Sequence, residues 1–173
     1  MIETPHLHLI PCDDTLFEAI RMGNNVLARV LGVNVPKKWT GYRDVFTPSF
    51  HRWKAHPPLR DWWTHLIVHL PDRMLIGSCG YKGEPDADGI VEIGYEIRPS
   101  HRERGLATEA AQGLIDHAFA HGEVKKVIAH TLPGEGPSTR ILKKLGFVRT
   151  GELEDPDDGL VWRWELKKED FIK

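Results

Sequence analysis

The chain has 173 residues, enough to bury a core without disulfides or a structural metal, and one domain over residues 1–173 is expected. Its 23 Lys and Arg against 25 Asp and Glu give a net charge of -2, which excludes a long-range pull toward nucleic acid or an acidic membrane and makes any anion site local. Cys12 and Cys79 can form neither a disulfide framework nor a metal-ligand spacing, and no stretch reaches the roughly 18 apolar residues of a membrane span, so a reducing, cytoplasmic setting is expected.

In "HLHLIPCDD", Leu7 and Leu9 alternate with polar neighbours ahead of acidic capping residues, which predicts a strand feeding the helix "DDTLFEAIRMG", closed by Gly23. From Asn24 to Arg60, Pro36, Pro48, Pro57 and Pro58 break any long helix, so short helices and loops are expected around Trp39, Tyr42, Phe46, Phe50 and Trp53. "WWTHLIVHL" and "MLIGSCGYKG" read as strands joined by the turn "PDR", and "EPDADG" carries an Asp-Gly hairpin signal into a third, "IVEIGYEIR". After Pro99 the period changes to 3.6 residues. Leu106, Ala107, Ala110, Ala111, Leu114, Ile115, Ala118 and Phe119 make one stripe, so a helix runs to about Gly122. "KKVIAHTL" is a short strand with a composition suited to burial on both faces, and strand, helix, strand implies a parallel crossover. "PSTRILKKLGF" gives another helix, with Pro137 in its first turn and Gly146 past its end, and "FVRTGELED" and "GLVWRWELKK" form a final hairpin through "PDDG". The fold class is α/β (α+β) with a mixed sheet.

"HRERGLA" places His101, Arg102, Arg104 and Gly105 directly before the long helix. A helix start offers unpaired N–H groups and a positive dipole end, and small residues such as Gly105 and Ala107 let a phosphate come close. The same residues also make an ordinary glycine-assisted junction with solvated arginines. Neither GxGxxG nor GxxxxGK(S/T) is present, since "GEGPSTR" lacks the lysine. His117 and His121 are spaced i,i+4 but lack a third clustered ligand, so they read as a solvated helix face and no metal is expected. "EPDADGIVEIGY" mimics a calcium loop but has Tyr95 at the twelfth position, where a bidentate glutamate is needed.

Four features resemble the GNAT superfamily of acyl-CoA-dependent N-acetyltransferases, and within it the RimJ/RimL-like branch. "RERGLA" is similar to the family's (Q/R)xxGx(G/A) pyrophosphate loop, "EIGYEIRP" to the strand before it, "PSTRILKKLGF" to the helix ending in LGF, and "TPHLHLIPCDD" to the branch's opening. The resemblance implies a GNAT fold: a mostly antiparallel central sheet flanked by helices, its fourth and fifth strands, here "IVEIGYEIR" and "KKVIAHTL", splayed apart. It implies acetyl-CoA as co-substrate, no metal, its pyrophosphate on Arg102, Arg104, Gly105, Leu106, Ala107 and Thr108, and the acyl arm paired near Ile97. It also implies an amine acceptor, a protein N-terminus or a small molecule, with no nucleic acid or membrane partner, and it is compatible with a homodimer.

Acetyl transfer needs a neutral amine, and an α-amine titrates near 8 against about 10.4 for lysine. A carboxylate helper is therefore expected. Glu92 matches the position where several relatives carry the base, with Glu96 in reserve on the same strand face unless a bulge intervenes. Relatives often place a tyrosine acid where this chain has Leu142, which leaves Ser138 as the substitute. The resemblance also counts Ser138 and Glu135 with the cofactor-binding residues, but Glu135 replaces a branch asparagine that donates to the cofactor arm, a bond a carboxylate cannot make, and the alternative for it is a cationic substrate. The aromatics between Trp39 and Trp63 read first as core, while by family analogy this region lies over the acceptor site, where Trp39, Tyr42 and Trp53 would shape a substrate pocket. The rival readings are a catalytically idle acyl-CoA-binding module and, third, a nucleotide-binding regulator.

Overall fold

Leu66, Ile67 and Val68 are consecutive and all buried, which a strand achieves only when both of its faces are covered. The computed structural model describes residues 1–41, 46–56 and 61–171, without the side chains at 47–49, 52 and 53. Its strands are β1 Ile2–Glu3, β2 Leu7–Pro11, β3 Thr64–His69, β4 Met74–Tyr81, β5 Ile90–Ile97, β6 Lys126–Thr131, β7 Val148–Asp155 and β8 Gly159–Lys167. Its helices are α1 Asp14–Met22, α2 Asn24–Leu31, α3 Phe46–Ala55, α4 Leu106–Phe119 and α5 Pro137–Lys144. The sheet runs β1-β2-β3-β4-β5-β6-β8-β7, with β5 and β6 parallel and the other neighbours antiparallel.

The period of two sorts β3 between two cores. Leu66 and Val68 pack with Phe17, Ile20, Leu27 and Trp39 beneath α1 and α2, while Ile67 packs with Ala110, Leu114 and Ala118 of α4 and Leu142 of α5. α1 starts where Asp13 accepts from the Leu16 N–H at 2.9 Å, a cap of about 1 kcal/mol. Small residues let α4 lie close to the sheet: a Cβ on Gly113 would meet Thr4 Cγ2 at 3.0 Å and Leu9 Cδ1 at 3.3 Å.

Two features depart from the sequence expectation. β1 is an added edge strand, and the segment after it is tied down by Glu109 of α4, which accepts from Thr4 Oγ1 at 2.5 Å and the His6 N–H at 2.8 Å. β5 and β6 are therefore the predicted fourth and fifth strands. His117 and His121 are not on a solvated face: β3 begins after Trp62, whose ring lies 5.9 Å and 4.8 Å from theirs and covers them.

Candidate active site

β5 and β6 pair only at Ile90 with Lys126, Val91 with Val127 and Glu92 with Ile128. Beyond that point β5 follows β4 as far as Ile97, and β6 follows β8 as far as Thr131, so the two strands part. The Lys82 N–H bonds the Glu92 carbonyl and the Arg98 N–H bonds the Ile76 carbonyl, so even-numbered residues of β5 turn their backbone groups toward β4. By alternation Ile93, Tyr95 and Ile97 turn theirs into the gap. The Ile97 carbonyl there accepts from Arg102 Nε at 2.8 Å.

A cleft of about 820 Å³ leads from Tyr95, Glu96 and Ile97 past Pro99 to the starts of α4 and α5. Of the predicted cofactor residues, Ile97, Arg102, Gly105, Leu106, Ala107, Thr108 and Ser138 line it. Gly105 caps α4 with φ 76 and no side chain over the helix mouth, and the first N–H groups of α4 have no intrahelical acceptor. Arg140 and Lys144, four residues apart on α5, add two positive charges to the wall. Against Glu96 and Glu103 on the same lining, Arg102, Arg140 and Lys144 leave a small positive excess, and with the uncovered amides of α4 they make the chemistry that holds a diphosphate.

The β4–β5 register is unbroken from Tyr81 paired with Ile93 to Gly77 paired with Ile97, so no bulge intervenes and Glu92, Gly94 and Glu96 share one face, opposite α4. Glu92 stands at the fork. Its Oε2 accepts from Lys82 Nζ and lies against His130 Nδ1, both at 2.9 Å, and Oε1 has no partner among the described residues. His130 Nε2 is buried without a hydrogen-bond partner among the described residues. Glu96, which lines the cleft, accepts from Thr40 Oγ1 and from the Gly41 N–H at 3.2 Å.

Residues 7–148 match the family model of the acetyltransferase (GNAT) domain. This chain is a GNAT-family acetyltransferase. It is 29% identical over 160 residues to YjdG, an uncharacterized N-acetyltransferase of Bacillus subtilis (strain 168), covering 86% of this chain and 89% of that one. It is 23% identical over 95 residues to the ribosomal-protein-serine acetyltransferase of Escherichia coli (strain K12), covering 55% and 53%. Its fold is similar to that of RimL, the ribosomal L7/L12 alpha-N-protein acetyltransferase solved in complex with coenzyme A, at TM-score 0.68 and 14% identity over 96% and 97% of the chains. GNAT acetyltransferases use acetyl-CoA, the family to which the RimJ/RimL-like resemblance pointed.

Several predicted residues of the acetyltransferase sit elsewhere than expected. Arg104 does not line the cleft; its guanidinium lies 3.9 Å from Asp72 Oδ2 in the β3–β4 turn. Glu135 does not line it either, because Lys143 Nζ donates to its carboxylate at 2.9 Å on the exposed side of α5. Trp39, by contrast, is core as its first reading has it, 1% exposed, its ring tilted against Phe46 at 5.5 Å and donating from Nε1 to Asn24 Oδ1 at 3.3 Å. Tyr42 and the Trp53 side chain lie outside the described residues. Leu142 is buried in the core, and Ser138 Oγ, on the cleft wall, has no partner among the described residues. Arg140 and Lys144 were missed although their i,i+4 spacing beside Pro137 and Ser138 marks one helix face. His130 also escaped notice, and its signal was a polar residue inside an otherwise buried strand.

Proposed function

We propose that this acetyltransferase moves an acetyl group from acetyl-CoA to a primary amine by direct transfer, with the acceptor a protein N-terminal α-amine or a small-molecule amine. The observation that carries this is the fork: two strands part at Glu92, and the cleft beyond runs to a helix mouth of free N–H groups. The donor set fits the co-substrate, since open space at Gly105 leaves the amides uncovered and Arg102, Arg140 and Lys144 face the same cleft. Acetyl-CoA supplies the thioester. The amides of Leu106, Ala107 and Thr108 hold its diphosphate. Gap-facing backbone groups of Ile93 and Tyr95 hydrogen-bond its amide arm, and the Ile97 carbonyl stays with Arg102.

Glu92 Oε1 accepts the proton of the attacking amine as the C–N bond forms and the C–S bond breaks, with Glu96 as the reserve carboxylate. Ser138, whose hydroxyl has no partner among the described residues, returns a proton to the departing sulfur. An α-amine needs about one pKa unit of help at neutral pH and a lysine more than three, so one carboxylate at the fork suits the α-amine better. The similarity to a ribosomal-protein-serine acetyltransferase supports the same preference. Incubation with acetyl-CoA and a panel of N-terminal peptides and small amines tests the proposal by free-thiol release. Release that depends on the amine is expected. Calorimetric binding of coenzyme A without release would instead identify an idle acyl-CoA-binding module, and binding of ATP above coenzyme A would identify a nucleotide regulator.

A further inference from the structure

Away from the fork, three chain segments bring two histidines and a carboxylate together. His69 ends β3, Asp72 lies in the β3–β4 turn, and His101 ends the short 3-10 turn between β5 and the α4 loop. One ligand-type atom from each lies within 4.8 Å of the others, the sole such cluster of three among the described residues. A single oxygen, Asp72 Oδ2, is the focus: His101 Nε2 approaches at 2.8 Å and His69 Nδ1 at 3.1 Å.

The two contacts are not equivalent. His101 makes a hydrogen bond, and its other nitrogen is fixed by Ser100 Oγ at 2.8 Å. His69 Nδ1 is buried in a residue only 3% exposed, and despite its proximity to Asp72 it is not aligned for a hydrogen bond and has no other partner among the described residues. Its contact with Oδ2 is thus a close but poorly aligned one, and a cation shared by the three groups would give the nitrogen a directed partner. Two ligands of a tetrahedral ion, each about 2.0–2.2 Å from it, stand roughly 3.3 Å apart, close to the spacing of each imidazole nitrogen from Oδ2. The two nitrogens lie within 4.8 Å of each other, so a movement of no more than about 1.5 Å would bring them to that same edge.

We propose that His69, Asp72 and His101 form a binding site for a divalent ion of the Zn²⁺ type, with a fourth position left for water. Two imidazoles and one carboxylate suit Zn²⁺, Co²⁺ or Ni²⁺ better than Mg²⁺ or Ca²⁺, which prefer all-oxygen shells. Asp72 is 43% exposed and gives the ion its route in. Its coordination would loosen the 3.9 Å contact of Asp72 with Arg104 and pin His101, so the ion would tie the β3–β4 turn to the loop that leads into α4.

The test is calorimetric titration of the chelator-treated full chain with ZnSO₄, and with CoCl₂ followed by visible absorption. One Zn²⁺ per chain is expected, with Kd at or below about 10 μM and Co²⁺ bands that Zn²⁺ displaces. Asp72→Asn sits in an exposed turn and should fold; it is expected to weaken binding at least about tenfold, as is His101→Ala. His117→Ala/His121→Ala is expected to bind as the parent does. Absence of stoichiometric binding up to about 1 mM overturns the site, and so does unchanged binding by Asp72→Asn and His101→Ala, which would put the ion elsewhere. Metal binding is read without acetyl transfer, so either result leaves the acetyl-CoA proposal standing or falling on its own test.

Discussion

Replacing Gly105 by alanine separates backbone strain from ligand contact, because the chain carries its own control. Gly105 has φ 76 and ψ 4 and Gly32, which ends α2, has φ 71 and ψ 23; a Cβ on either would meet nothing within 4 Å. An L-residue in this left-handed region costs about 1–2 kcal/mol, offset in part by the lower entropy of the unfolded chain. Each substitution is thus expected to lose about 1 kcal/mol, or about 2–4 °C in Tm for a chain of this size. Only Gly105 borders the cleft, where the new methyl stands beside the amides of Leu106, Ala107 and Thr108. Loss of one hydrogen bond to an ionised phosphate costs about 1.5–3 kcal/mol, so Gly105→Ala should weaken coenzyme A binding about 10- to 100-fold. Gly32→Ala should leave it within about twofold. Thermal unfolding checks the first quantity and isothermal titration the second. Parent-like affinity in Gly105→Ala would show that the diphosphate does not rest on this helix start, and an equal loss in both variants would trace the effect to stability alone.

Glu92→Gln should lower turnover by about 100-fold or more while leaving the acetyl-CoA dissociation constant within about threefold, because the carboxylate stands at the fork and does not line the cleft; unaltered turnover would remove it from the mechanism. Glu135→Asn removes an exposed ion pair with Lys143 and should change stability by less than about 0.5 kcal/mol, with acetyl-CoA affinity equal or higher; weaker binding by titration would contradict the outward placement of Glu135. His65 is 2% exposed, and burial pushes its pKa down to about 4. The unfolded chain takes up a proton at about 6.5, so its contribution to stability is full above that pH and is lost as pH falls toward about 4. Denaturant midpoints should therefore drop between about pH 7 and pH 4.5, more steeply than in His65→Gln, and parallel profiles for the two proteins would refute the assignment.

The strands, the long helix and the glycine at its mouth were legible because each is a local pattern. Val127, Ile128 and Ala129 announce a doubly covered strand, the Leu106 to Phe119 stripe announces α4, and Gly105 before that stripe announces an uncovered helix start. β1 was not legible, since two residues carry no period and their place depends on β2 and on the Glu109 contacts made just beyond them. The Lys82–Glu92–His130 cluster was not legible either, because β4, β5 and β6 bring together residues whose spacing along the chain has no signature. The Arg104 side chain was illegible for the same reason in reverse: its position in the loop motif says nothing of Asp72, beside which the guanidinium lies. Trp39 reads as core in the sequence and is core, against Phe46 and Asn24; its neighbours there were not legible, because an aromatic residue in a proline-rich stretch looks the same whatever it packs on.

The two ends of the cleft are therefore built of different material. At α4 the donors are backbone amides, and what the sequence must supply is smallness at Gly105 and Ala107, a requirement visible in a single chain. At the fork, Glu92 and Glu96 are oriented by side chains from other segments, Lys82 and His130 for the first and Thr40 for the second. Each of those contacts is lost by a single substitution, with no effect on the helix mouth. A chain can thus keep the fold and the anion-binding turn while the surroundings of its acceptor change residue by residue. This is why 14% identity to RimL suffices for a common architecture and carries no information about the acceptor of this acetyltransferase.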